Sequence, residues 1–572
     1  MPENKNENNQ ILQSPFLNDE LDNMLIELER ENIIGRLWGK DPSIWKSDPD
    51  SQKLISNSLG WLNVVDRMYP SIRELKGLAD KIKSEGYKTI LHMGMGGSSL
   101  APEVMGELLG RSEIYSRGND YPTIKILDTT DPDAIRSLEK SIDIEKTIFI
   151  VASKSGSTTE TDCFYRYFYH RISEIKGENA GAQFIAITDP ASALEKTARD
   201  KNFRRCFINF EDIGGRYSAL SYFGLVPAAL IGIDVEKVLD NAKEMVDTGR
   251  IVKPIAENEA AVLGVTIGLY AANGKDKLTV VFPQRMEPFG DWLEQLIAES
   301  TGKEGKAIIP IIGEEISAYD SYGSDRLFIF YADKNDADRK EWVEKLGSAG
   351  YPIIKINTPL PESLPQEFFR WEIATAVAGW VLKINPFDQP NVQESKDIAK
   401  KFIADYVDKG NIDFGKLELS EGNISLFGEI EGSDIKTAIQ HFIKRAQKKD
   451  YIALMAFINP SAENRDMLFE IRKIIRNKFH IATTLGFGPR FLHSTGQMHK
   501  GGPDNGLYIQ ITESHSAELP IPGLPYSFGD LIDMQALGDF HALIAHKRKI
   551  IRVHLSDGLG DFKKLFEDME GI

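Results

Sequence analysis

Between about residues 85 and 245, short β-branched runs alternate with turn-and-helix segments, and this alternation constrains the fold more than any other feature of the chain. The runs are KTILHMG (88–94), TIKILD (123–128), TIFIVAS (147–153), QFIAITD (183–189) and RCFINF (205–210). Strands that are apolar along their whole length and separated by helices imply a parallel sheet covered on both faces, because parallel neighbours need a crossover connection. The pattern restarts near 250 with LTVVFP (278–283), RLFIFYAD (326–333) and PIIKIN (352–357), followed by a helical stretch at 367–384. A third stretch carries YIALMAFI (451–458), GLYIQIT (506–512) and IIRVHL (550–555), with a helix around 464–478. The expected architecture is α/β. Two doubly wound parallel-sheet domains occupy 20–245, with N-terminal helices at 20–84, and 246–405; a C-terminal α/β segment fills 406–572. Residues 1–19 read as a disordered tail.

A length of 572 residues fits about three units at roughly 100–200 residues each. The formal charge of −17, with no concentrated basic stripe, argues against nucleic acid as a partner. A small anion remains open, since local hydrogen-bond donors outweigh a distant average field. The longest apolar stretch, Ala260 to Ala272, falls short of the ~20 residues of a spanning helix, so no membrane partner is expected. Two cysteines, Cys163 and Cys206, and no apolar leader point to the cytoplasm.

Chemistry concentrates in a few segments. In HMGMGGSSLAPEV (92–104) a strand ends in Gly94, Gly96 and Gly97, and Ser98-Ser99 stand where a helix cap belongs. Such a junction aims free N–H groups and the positive end of a helix dipole at an anion; an ordinary capped turn is the plain alternative. A dinucleotide fingerprint fits less well, because Ser99 replaces its third glycine. SKSGSTTET (153–161) gathers the hydroxyls of Ser153, Ser155, Ser157, Thr158 and Thr159 beside Lys154, with Ser157 and Glu160 at capping-box spacing. Hydroxyls with helix N–H groups suit a phosphate monoester, while the phosphate-loop NTPase pattern is absent. GGRYS places Arg216 after two glycines, as a ligand group or a structural ion pair. In DWLEQLIAESTGK, Gln295 and Glu299 share one helix face near a helix end; a solvated face is the plain reading of such a pair. NPFDQPNVQESK (385–396) is a proline-constrained turn leading to Lys396. FLHSTGQMHKGGP (491–503) holds His493 and His499 in a glycine-rich loop without the third ligand that a metal site would need.

Together these segments resemble the glucose-6-phosphate isomerase (phosphoglucose isomerase) family, a two-domain sugar-isomerase (SIS) fold. The family's glycine-glycine-serine turn is similar to Gly96-Gly97-Ser98, and its phosphate loop to Ser153–Thr161, with Ser155 for a threonine and Gly156 for a bulky residue. Its arginine, glutamine and catalytic glutamate fall on Arg216, Gln295 and Glu299, and its late lysine on Lys396. Family members place the ring-opening histidine between glutamate and lysine, yet no histidine lies between Glu299 and Lys396. The similar His493-Ser-x-x-Gln497-x-His499 comes later. Either the segments are permuted in this chain or that likeness is a coincidence. The isomerase portion of bacterial transaldolase–isomerase fusions shares the late histidine loop, and 572 residues leave no room for a transaldolase barrel of roughly 250 more.

The resemblance implies interconversion of glucose 6-phosphate and fructose 6-phosphate through a cis-enediolate, without metal or organic cofactor. Glu299, Arg216, His493 and Lys396 would be catalytic. Gly97, Ser98, Ser153, Lys154, Ser155, Thr158 and Gln295 would bind the sugar phosphate. Family members are commonly dimers that borrow the histidine from the partner subunit, so a homodimer is one expectation and delivery within one chain by the C-terminal segment is the other. A non-catalytic phosphosugar-binding regulator and an isomerase of another sugar phosphate are the rival functions.

Overall fold

The structure is a computed structural model describing residues 10–13, 18–332, 337–359, 361–409, 412 and 414–570. Three parallel α/β sheets are wound alike. The first runs Thr123–Leu127, Thr89–Gly94, Thr147–Ala152, Phe184–Thr188, Arg205–Ile208, all parallel. The second runs Ile353–Ile356, Arg326–Tyr331, Lys277–Val281, Ile309–Ile311, also parallel. The third contains Ala482–Phe487, Tyr451–Phe457, Gly506–Glu513 and Lys549–Leu555 in parallel, extended by the antiparallel strands Ile424–Gly428 and Leu417–Glu421. Numbered within each sheet, the parallel strands repeat one order, 2-1-3-4, with a fifth added in the first. In every case the chain reverses its direction of travel beside the first strand. That is where open α/β sheets bind ligands.

Every residue of Thr89–Gly94 and Thr147–Ala152 is buried, which explains why they lack a polar alternation. The N-terminal helices and both of the first two sheets share one apolar core, from Leu28 through Val104, Leu225 and Phe289 to Trp371. The third sheet buries one face in a core of its own, including Ile452, Ile509 and Phe562. Its other face packs Tyr451 and Met455 on Ile309 and Ile311 of the second sheet. The segment and helix that precede its last strand press Ile521 and Phe528 onto Phe164 and Phe168 over the first sheet. The C-terminal unit is thus wedged against both others.

Several expectations shift. Within the stretch read as a disordered tail, Gln10–Gln13 form an antiparallel edge strand on Ile353–Ile356, a pairing that depends on a partner more than 300 residues away. The strands Ile309–Ile311, Ala482–Phe487 and the hairpin at 417–428 were not anticipated; the first is only three residues long, too short to stand out as a run, and the outer strand of the last is mostly exposed. Helix Val392–Lys409 crosses the boundary expected at 405 and packs on helix Phe528–Ala545 of the third unit.

Candidate functional site

The site grows from the end of the first sheet. Gly94 and Ala152 are register partners on adjacent strands, so the glycine turn and the hydroxyl loop leave the sheet side by side. Gly96 has φ +54°, a left-handed conformation that glycine takes without strain. A Cβ there would lie 2.7 Å from the carbonyl oxygen of His493 and 2.8 Å from Gln295 Nε2, and one on Gly97 would lie 2.2 Å from the carbonyl oxygen of Gly215. The turn is therefore the place where the His493 loop, the Gln295 helix and the Arg216 turn all converge. Ser98 is buried, and its carbonyl oxygen lies 2.6 Å from Nε2 of the fully buried His92. Burial pushes that imidazole down to about 4, so it is neutral and donates to Ser98. Ser99, the residue before helix Leu100–Leu109, caps nothing with its side chain; its hydroxyl turns to the Gly96 carbonyl and to Asp128.

The second loop differs from its expected capping box. Helix Thr159–Lys176 begins one residue later, and Thr158 at its cap makes no side-chain cap bond. Ser153 and Thr158 hydroxyls instead bond each other at 2.8 Å, Ser153 Oγ accepts from the Gly156 N–H, and Ser157 donates to Ser155. Ser155 and Ser157 are exposed. Lys154 turns back to pair with Asp189 and the Glu211 carbonyl. Glu160 does not reach back to the cap. It is buried, 3.0 Å from Nε2 of His493, and accepts from Gln535 Nε2 at 2.7 Å, while Gln535 Oε1 accepts from Thr130. Sequence reasoning missed this carboxylate because the capping-box spacing already gave it a local use.

Glu299 lies one turn from the end of helix Glu287–Thr301, 8% exposed. Its Oε1 is 3.3 Å from the Arg216 guanidinium and its Oε2 accepts from Gln295 Nε2 at 3.1 Å. The same Gln295 nitrogen donates to the His493 carbonyl at 2.8 Å, so one amide joins the carboxylate to the histidine loop. Arg216, 3% exposed, donates to Ser300 Oγ, Gln389 Oε1 and the carbonyls of Pro386 and Asp388. That fixes the 385–391 turn beside Glu299. Lys303 adds a bond to Asp388 at 2.7 Å; burial, then the charge of Arg216, pushes its ammonium down to about 8. Gln497 accepts from the Asn391 N–H and donates to the Gly302 carbonyl, tying the histidine loop to the same turn. Lys396 belongs to helix Val392–Lys409, but its side chain lies outside the described residues. His499 is buried between Phe491 and Tyr508 rather than beside His493. Among the described residues no group of three His, Cys, Asp or Glu side chains is placed to hold a metal ion, and no helix is long and apolar enough to cross a membrane.

The arrangement joins a carboxylate, a guanidinium and an imidazole–carboxylate pair next to hydroxyls and a helix N-terminus. It can move protons beside an anchored anion. Known proteins place it further. The family model for phosphoglucose isomerase matches residues 61–313. A glucose-6-phosphate isomerase of Nostoc punctiforme is 31% identical over 317 residues, 52% of this chain and 54% of that protein, so the match spans about half of that relative's length. One from Prochlorococcus marinus is 30% identical over 418 residues, 66% of this chain and 77% of that protein. A hypothetical protein of Thermus thermophilus, solved by crystallography, shares the fold with a TM-score of 0.58 at 22% identity, covering 69% of this chain and all of that one. The stretch matched by the family model takes in Gly96, Ser153, Arg216 and Glu299, and the Prochlorococcus enzyme is matched over more than three quarters of its length: this chain belongs to the phosphoglucose isomerase family.

Proposed function

We propose that the chain interconverts glucose 6-phosphate and fructose 6-phosphate, using no metal or organic cofactor, in a reducing cytoplasm. The observation that carries this reading is Glu299, a buried carboxylate 3.3 Å from Arg216 and joined through Gln295 to the loop of His493. The substrate phosphate rests on the Ser153–Thr158 hydroxyls and the free N–H groups that open helix Thr159–Lys176, where the dipole favours an anion. Gly97 and Ser98 line the sugar between this anchor and Glu299.

Most of the substrate is cyclic, so the ring opens first. His493, its Nε2 held by Glu160, exchanges a proton with the ring oxygen or the C1 hydroxyl through Nδ1. Lys396 is the second group that the family likeness assigns to this step. Glu299 then removes the C2 proton and returns it to C1; a carboxylate can do both. Negative charge grows on oxygen in the enediolate, and the Arg216 guanidinium already stands beside the base to balance it. His493 meets Glu160 and Gln295 within one chain, which supports delivery of the histidine by the C-terminal segment.

A coupled assay with fructose 6-phosphate, run beside mannose 6-phosphate, tests the substrate. Glu299→Gln keeps size and polarity but removes the base, so kcat should fall by ~10²–10⁴ with KM little changed. Wild-type turnover in that variant would remove Glu299 from the chemistry.

A further inference from the structure

One side chain ties the upstream end of the histidine loop to both other units. Arg490, three residues before His493, opens the short 3-10 turn Arg490–His493. Its Nη2 pairs with Glu103 and lies 3.3 Å from Asp291, while its Nη1 lies 3.3 Å from Asp128. The three carboxylates come from three elements outside the C-terminal unit. Glu103 stands in the first turn of helix Leu100–Leu109, just after the glycine turn. Asp128 follows strand Thr123–Leu127 and accepts from the Ser99 hydroxyl. Asp291 belongs to the helix of Gln295 and Glu299, and the spacing of four puts all three on one face. One guanidinium thus ties the histidine loop to the glycine turn and to the catalytic helix together.

Packing holds the next residue, Phe491, which is buried against Phe457 and Met498. A cavity of about 270 Å³ opens beside the loop, lined by Arg490, Arg465, Ser494, Asp128 and Asp291 among others. On the Arg490 side the loop borders this cavity, and the three carboxylates add charge contacts to the packing of Phe491. Burial alone would push the Arg490 guanidinium down; Asp128, Glu103 and Asp291 outweigh it and hold the group well above its ordinary value. A planar fork reaching three acceptors is a task for arginine, which lysine's point charge meets only in part.

We propose that Arg490 is a positioning residue for ring opening: it seats the His493 loop by clamping onto carboxylates of both other units. This rests on the isomerase reading above. The test compares Arg490→Met and Arg490→Lys in the full chain. Misplacement by about 1 Å costs on the order of 10²-fold, so Arg490→Met should slow conversion of cyclic glucose 6-phosphate by that much. C2-proton exchange with solvent from open-chain substrate should fall less than about tenfold, with KM nearly constant, and Arg490→Lys should recover part of the loss. Equal damage to both steps, or none to ring opening, overturns the proposal. Should Arg490→Met fail to fold, Arg490→Lys must show the same split at smaller amplitude, and its absence overturns the proposal too. Amide exchange at 490–496 separates this from the isomerase reading. Even in a wild type that turned over no sugar phosphate, Arg490→Lys should expose those amides, and unchanged protection would refute the clamp.

Discussion

The two loops beside the glycine turn, Ser153–Thr158 and Arg490–His493, are held in different ways. The Ser153–Thr158 loop bonds largely to itself, through Ser153 with Thr158, Ser155 with Ser157 and Gly156 with Ser153, with Lys154 reaching out to Asp189 and the Glu211 carbonyl. The Arg490–His493 loop is held from outside, by Glu160, Gln295 and the carboxylates around Arg490. A self-bonded loop carries its geometry in its own sequence. A loop held from outside has a geometry only when the units that grip it are assembled.

The largest expected break in this contrast is at His493. His493→Ala should slow conversion of cyclic substrate by ~10²–10⁴ while sparing C2-proton exchange from open-chain sugar, because only ring opening loses its acid/base. Equal losses in the two assays would mean that the histidine merely shapes the site. A smaller effect is expected from the self-bonded loop. Ser155→Ala with Thr158→Ala removes hydroxyls from a group that does not change during reaction, so the loss belongs in KM. At about 1.5–3 kcal/mol for each hydrogen bond to a charged group, KM should rise by at least roughly tenfold; steady-state kinetics that leave KM unmoved would return the loop to plain capping. The smallest effect concerns the turn that touches both loops. His92 is neutral in the fold, with its value lowered from 6.5 to about 4. The unfolded chain therefore binds more protons between those limits, and stability falls as the medium is acidified through that window. From pH 6.5 to about 5.5 the loss attributable to His92 should be about 1 kcal/mol by denaturant titration. His92→Asn should flatten that part of the profile; an identical slope in the variant would show His92 is not its source.

The same contrast explains what could be read from the residues alone. The central parallel strands of the first unit were legible because full burial leaves Thr89–Gly94, Thr147–Ala152 and Phe184–Thr188 as short apolar runs between turn residues. The hydroxyl loop was legible for the same local reason. Glu160 was not, since its partners His493 and Gln535 lie 333 and 375 residues away and its own neighbourhood suggested a cap. Arg490 was overlooked because an arginine directly after Gly488-Pro489 reads as a surface turn until three distant carboxylates surround it. The late histidine loop nevertheless lies beside the helix of Glu299, with the His493 carbonyl accepting from Gln295.

The third sheet repeats the winding of the first two and keeps a private core around Ile452 and Phe562. His493 is therefore carried by a unit joined in one chain to the helix of Glu299. In a site assembled from separate subunits, dilution takes the chemistry apart. In this chain His493 and Glu299 lie on one polypeptide, so on the proposed reading their effective concentration is set by the fold and is the same at nanomolar as at millimolar protein.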